Sequence, residues 1–162
     1  MVACLVRGTA LPWVFAVSGY SSPSHPVQDA ALHRPNWVNR VFEVAEVIDY
    51  RLGPDCRDQT GSPGSYLACH SEKQLLAYFL WTHITILDRE VKPTSSHLLR
   101  GSERRSMSKL HVKLIVCQPG QDTAFVCRDC EAFCRKVVSL HGFHLTLQGI
   151  LGDNIVTLHD IS

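Results

Sequence analysis

Three things are missing from this chain of 162 residues. No run of about 18 apolar residues occurs, which excludes an ordinary transmembrane helix and gives no reason to expect a membrane partner. Net charge is almost absent: 16 Lys+Arg against 15 Asp+Glu leave +1. No overall field therefore draws the protein onto a polyanion, and any such site must be local. Internal repeats and low-complexity segments are also lacking, which excludes repeat architectures and compositionally disordered tails. What remains, 45% hydrophobic and 19% charged, is the composition of one compact domain with one core.

Cysteine, by contrast, is plentiful. Cys4, Cys56, Cys69, Cys117, Cys127, Cys130 and Cys134 form an odd set in a domain large enough to build a core without staples. That fits a reducing, intracellular compartment with some thiols acting as metal ligands better than a disulfide framework. Residues 1–18 are apolar enough to suggest a secretory leader, but Arg7 interrupts them, Pro12 and Trp13 follow, and no small-residue cleavage site comes after. A strand is the preferred reading.

The chain reads as a single domain over 1–162, with an N-terminal strand-and-loop extension at 1–35 and a basic loop insert at 88–109. Residues 11–17, rich in Trp, Val and Phe, predict a short strand, and the prolines after it keep 20–26 out of helix. Trp37, Val38, Val41, Phe42, Val44, Ala45 and Ile48 then recur at helical spacing, with Asn36 as N-cap and Gly53 as the stop. A second helix begins near Leu67 and turns Leu75, Leu76, Phe79 and Leu80 to one face. His111–Cys117 predicts a strand ended by Pro119 and Gly120. A third helix runs through Phe133, Cys134 and Val137 to Gly142, and 143–147 and 155–158 predict two more strands. Helix, strand, helix, strand in the C-terminal half points to an α/β sandwich.

The chemistry gathers at two helix starts. His70-Ser71-Glu72 opens the second helix and Cys127-Arg128-Asp129-Cys130 the third. One His and two Cys are three ligands of the kind that hold Zn²⁺ with a fourth position open, as a hydrolytic site requires. Cys127 and Cys130 share a helical face, and a helix N-terminus favours the thiolate that ligates. Glu72 is placed to take a proton from a metal-activated water and return it to a leaving nitrogen. Taken singly, the cysteine pair also fits two buried thiols or a structural zinc. The order His-x-Glu then Cys-x-x-Cys, with a strand before the pair, favours the catalytic type.

Those residues resemble a known family. His70-Ser71-Glu72-Lys73 and Val126-Cys127-Arg128-Asp129-Cys130 are similar to the DYW family of nucleic-acid cytidine deaminases, found in plant organelle RNA editing factors and in fungal proteins. Trp13-Val14-Phe15-Ala16-Val17, Ser24-His25-Pro26 and Gly53-Pro54-Asp55 resemble that family's segments around its first helix, and Ala68-Cys69-His70-Ser71-Glu72-Lys73 resembles the fungal branch. The likeness spans roughly residues 13–147. It implies a three-layer cytidine deaminase-like α/β sandwich, a central mixed sheet flanked by helices. It also implies Zn²⁺ on His70, Cys127 and Cys130, Glu72 as the proton shuttle, and hydrolysis of cytidine to uridine in single-stranded RNA or DNA.

Departures from the family shape the rest of the expectation. Leu158-His159-Asp160-Ile161-Ser162 carries neither Asp-Tyr-Trp nor the Cys-x-Cys of a second zinc site, so one metal is expected. Within the extra length between His70 and Cys127, Arg100, Arg104, Arg105 and Lys109 are candidates to grip phosphates, against the plainer reading of a solvated loop. Two alternatives stand beside an editing deaminase: a deaminase of free nucleosides or nucleotides, and a zinc-stabilised interaction module without activity. Cys69, Cys134, Tyr78 and Trp81 are read as packing residues, and His25 as a local contact.

Overall fold

A computed structural model describes residues 1–19, 32, 34–58, 62–87, 110–118 and 125–162. The insert at 88–109, with Arg100, Arg104, Arg105 and Lys109, lies outside the described residues, as do Ser24-His25-Pro26 and Pro119-Gly120.

The chain is α/β, with strands β1 (Val2–Val6), β2 (Val14–Val17), β3 (His111–Cys117), β4 (His144–Leu151) and β5 (Asn154–Ile161), and helices α1 (Arg34–Val47), α2 (Ser65–Ala68), α3 (Ser71–Leu87) and α4 (Arg128–His141). The five strands make one mixed sheet in the order β2-β1-β3-β4-β5. Only β3 and β4 run parallel, pairing His111 with His144 through Val116 with Gly149, and α4 is the crossover between them. The other three pairings are antiparallel. A five-stranded mixed sheet with helices packed on it is the arrangement of a cytidine deaminase-like sandwich.

Alternation builds the core. Ala3, Leu5, Val112, Leu114, Val116, Leu145 and Leu147 point to one face and are buried there. Helix α3 packs on β1 and β2, α4 on β4 and β5, and α1 lies against α3. On the opposite face of the parallel pair stand His111, Lys113, His144, Thr146 and Gln148. None of the described helices is long and apolar enough to cross a membrane.

The N-terminal apolar stretch is a strand, β1, and it sits inside the sheet between β2 and β3. Helix α1 ends at Val47 rather than near Gly53, because Asp49 turns left-handed (φ 51) and the Tyr50 N–H reaches back to the Ala45 carbonyl. The second helix is two pieces. One turn, α2, is followed by a break at Cys69 and His70, and α3 then starts afresh. Gly64 before α2 has φ 83, and a Cβ there would lie 2.9 Å from the Leu52 backbone oxygen, so only glycine fits this turn.

Candidate metal centre

The break before α3 places His70. Its carbonyl accepts the Gln74 N–H, making it the residue that caps α3, so its side chain leaves the chain where the helix begins. Cys127 holds the corresponding place on α4. It is the N-cap, with extended backbone, and its Sγ accepts the Cys130 N–H at 3.3 Å. The two helix starts bring His70 Nδ1 to 3.4 Å from Cys127 Sγ and 3.3 Å from Cys130 Sγ. One ligand atom from each residue lies within 4.8 Å of the others. Ligands held at about 2.0 Å (N) and 2.3 Å (S) around a tetrahedral zinc stand roughly 3.6 Å apart, so this donor set fits a zinc ion with little rearrangement. Among the described residues this is the one His/Cys/Asp/Glu cluster of metal-binding size.

The two thiols behave as a pair that shares one proton. A hydrogen bond from Cys130 is the main reason the Cys127 thiol falls to about 4, with the His70 contact helping against partial burial. The same bond, with burial, pushes the Cys130 thiol well above its usual range. Metal binding must displace that remaining proton, because the ligand is the thiolate.

Glu72 lies on the first turn of α3 and is fully buried. Its Oε2 accepts the Ser71 hydroxyl at 3.1 Å, while Oε1 has no hydrogen-bond partner. Burial pushes the Glu72 carboxyl above the usual carboxylate range; the Cys127 charge adds to that, and His70 and Lys73 oppose it. A chain of donors leads from the surface to this carboxyl. Ser18, at the end of β2, accepts the Ser71 N–H at 2.7 Å and donates to the Ser71 hydroxyl at 2.9 Å, which in turn faces Glu72.

Lys73 belongs to the His70-Ser71-Glu72-Lys73 motif, which assigns it no role, and it is fully buried. Its ammonium lies 2.6 Å from Asp129 Oδ2, 3.3 Å from Cys130 Sγ and 3.1 Å from the Leu67 carbonyl. Burial disfavours the charge, but Cys130 and Asp129 outweigh it and hold Lys73 protonated. The Tyr50 hydroxyl donates to Asp129 Oδ1 at 2.8 Å, and burial together with that carboxylate pushes the phenol up. The one sequence signal for this network is an acidic residue placed between the two cysteines.

A pocket of about 460 Å³ opens onto His70, Cys127 and Asp129, with Ser18, Tyr66 and the exposed ring of Phe125 among its walls. Tyr66 meets the His70 ring edge-on at 5.2 Å, and the Arg57 guanidinium lies 3.7 Å over the Tyr66 ring. Arg57 is pinned by Asp55 at 2.7 Å, which holds the Asp55 carboxyl far below the usual range. Cys69 and Cys134 are buried. Tyr78 packs edge-on against Trp37, and Trp81 lies under the Arg40 guanidinium. All seven cysteines are free thiols.

The family described as single-strand DNA deaminase toxin A, C-terminal, matches residues 15–76. The matched segment takes in Ser18, His70 and Glu72 and stops short of Cys127. This likeness is to a nucleic-acid deaminase family. No curated protein and no solved structure matches the chain significantly.

Proposed function

We propose that this chain is a zinc-dependent hydrolytic deaminase that converts cytidine to uridine in single-stranded DNA, with residues 1–162 acting as one catalytic domain. The observation that carries the reading is the meeting of His70, Cys127 and Cys130, the first two of which line a pocket, with the buried Glu72, one oxygen unpartnered, two residues past His70. Single-stranded DNA is favoured by the family matched over 15–76. The DYW-like residues His70–Lys73 and Cys127–Cys130 support cytosine as the base.

His70, Cys127 and Cys130 would hold a zinc ion, which would supply the Lewis acid that brings the pKa of a water toward neutrality. Glu72 takes a proton from the attacking water and delivers it to N3 of cytosine as the water oxygen bonds to C4. Glu72 then takes the second proton and gives it to the N4 amine. The C4–N4 bond breaks, ammonia leaves and uracil remains. A carboxyl raised by burial suits this double duty, because a shuttle works best with a pKa near the working pH. Ser71 and Ser18 fix the Oε2 side of the carboxyl, which leaves Oε1 for the travelling proton.

The test is uracil formation by the zinc-loaded chain on single-cytidine oligonucleotides of DNA and of RNA, beside free cytidine. Fastest conversion of the DNA strand is expected. Faster conversion of RNA would shift the substrate to the one the DYW resemblance implies, conversion of free cytidine alone would make this a nucleoside enzyme, and no uracil from any of the three would overturn the proposal.

A further inference from the structure

We infer that Lys73 is a positioning residue of the metal centre: its ammonium donates a hydrogen bond to the Cys130 thiolate and holds that sulfur, and the charge on it, in place for the metal. The inference rests on the metal site proposed above and adds a residue to it.

A lysine is almost never fully buried unless paired. Lys73 is paired with Asp129 at 2.6 Å, and that ion pair alone would satisfy the charge. The third contact, to Cys130 Sγ at 3.3 Å, is what a simple ion pair leaves unexplained. A neutral thiol is a weak acceptor, whereas a thiolate is a good one, so a fixed ammonium aimed at Cys130 suits the ligating form of that sulfur. The ammonium donates to the Leu67 carbonyl and to Cys130 Sγ and is ion-paired with Asp129 Oδ2, so the head group cannot swing away without losing one of these contacts.

The two sulfurs are thereby treated alike by different means. Cys127 Sγ receives the backbone N–H of Cys130 at 3.3 Å. Cys130 Sγ, with its own N–H spent on Cys127, receives Lys73. Asp129, which sits between the cysteines, anchors the lysine, and the Tyr50 hydroxyl anchors Asp129 at 2.8 Å. Partners that orient a metal ligand in this way commonly change metal affinity or activity by about 10–100-fold when removed. A donor on a thiolate draws charge off the sulfur and leaves the metal the stronger Lewis acid.

The experiment compares the full chain with the double variant Lys73→Met, Asp129→Asn, which removes the ammonium without leaving its partner carboxylate charged. Zinc affinity is read by competition with a chelator, and Co²⁺ in place of zinc reports the thiolate-to-metal charge-transfer band. The variant is expected to melt cooperatively, bind zinc about 10–100-fold more weakly and show that band at lower energy. Asp129→Asn alone, which keeps the lysine, should show the smaller change of the two. Should the double variant fail to fold, the unmutated chain still decides: with ¹⁵N-labelled lysine, loading with ¹¹³Cd should move the Lys73 Nζ resonance. Unchanged affinity and band position in a folded variant, or a Lys73 resonance that ignores the metal, would reduce Lys73 to an ordinary buried ion pair. A wild-type chain that binds no zinc tightly would instead overturn the metal site itself and this inference with it.

Discussion

Asp58 and Glu72 are two carboxylates on either side of α2, and the chain treats them in opposite ways. Asp58 has every lone pair engaged: it accepts the N–H groups of Asp55, Gly64 and Tyr66, each at 2.8 Å, and faces the Ser65 hydroxyl at 3.4 Å. Those backbone bonds hold the carboxyl below its ordinary range. Glu72 is sealed from water with one oxygen unpartnered, and burial pushes its carboxyl up. Asp58, which holds the turn before α2, is satisfied. A buried group left half-satisfied, against the cost of desolvating it, is held for something that arrives later.

The difference can be broken most forcefully at the metal. Cys127→Ala or Cys130→Ala removes a ligand from a three-ligand set, so elemental analysis should fall from about one zinc per chain to near none by the single-site argument. Either variant should also lose all uracil formation and melt at lower temperature. Two zinc equivalents in the wild type, or full retention in either variant, would contradict the assignment.

The next effect separates the two carboxylates by stability. Asp58→Asn should lower the melting temperature at neutral pH, since three backbone donors lose a charged acceptor. Glu72→Gln should raise it in the metal-free chain. Folded Glu72 keeps its proton to higher pH than the ordinary 4.5 of the unfolded chain, so the native state binds more protons over that window. Wild-type stability must then fall, relative to Glu72→Gln, as pH climbs above 4.5. Asp58 works in the other direction: its depressed carboxyl stabilises the fold above its ordinary 3.8 and is lost as pH drops through the folded value. Melting curves of both variants across pH check the two signs.

A smaller effect concerns the paired thiols. With Cys127 at about 4, it is already thiolate at pH 6, where burial has pushed Cys4 up to about 11. Brief alkylation of the metal-free chain at pH 6, read by peptide mass spectrometry, should modify Cys127 well ahead of Cys4, and zinc should protect it. Equal labelling, or labelling that ignores zinc, would break the pairing of Cys127 with Cys130.

The smallest effect belongs to the basic insert. Neutralising Arg100, Arg104, Arg105 and Lys109 together should lower the slope of log K against log salt for single-stranded DNA by roughly 0.7 per lost phosphate contact, with turnover at saturation little changed. An unmoved slope would return the insert to a solvated loop.

How much of this was legible in the sequence follows the range of the forces involved. Strand β3 matches its expected bounds at His111–Cys117 because alternation and a following turn are local signals. The coming together of His70, Cys127 and Cys130 followed from ligand types at two helix starts, and the structure places them within 4.8 Å. A strand was the preferred reading of the N-terminal apolar run, which also resembles a leader, and pairing of β1 with β2 and β3 distinguishes the two. Strands β4 and β5 extend past their expected ends, since they pair through Leu151 and Asn154 around a left-handed Gly152. The first turn of α3 was legible only in part: Glu72 was marked for its chemistry, but nothing local shows that Ser71, Glu72, Lys73 and Gln74 are all buried. Their partners, Ser18, Asp129, Cys130 and the Cys69 carbonyl, come from tertiary packing that no local pattern encodes.

The central claim is that the unsatisfied carboxyl moves protons and holds no metal. Glu72→Ala measured beside the wild type, with zinc content and uracil formation on a single-cytidine DNA strand read from the same preparations, tests it most directly. Equal zinc with turnover reduced about 10²–10⁴-fold or more, the usual worth of a general acid–base group, is the predicted result. Near-normal turnover in the zinc-loaded variant, or loss of zinc along with activity, would contradict it.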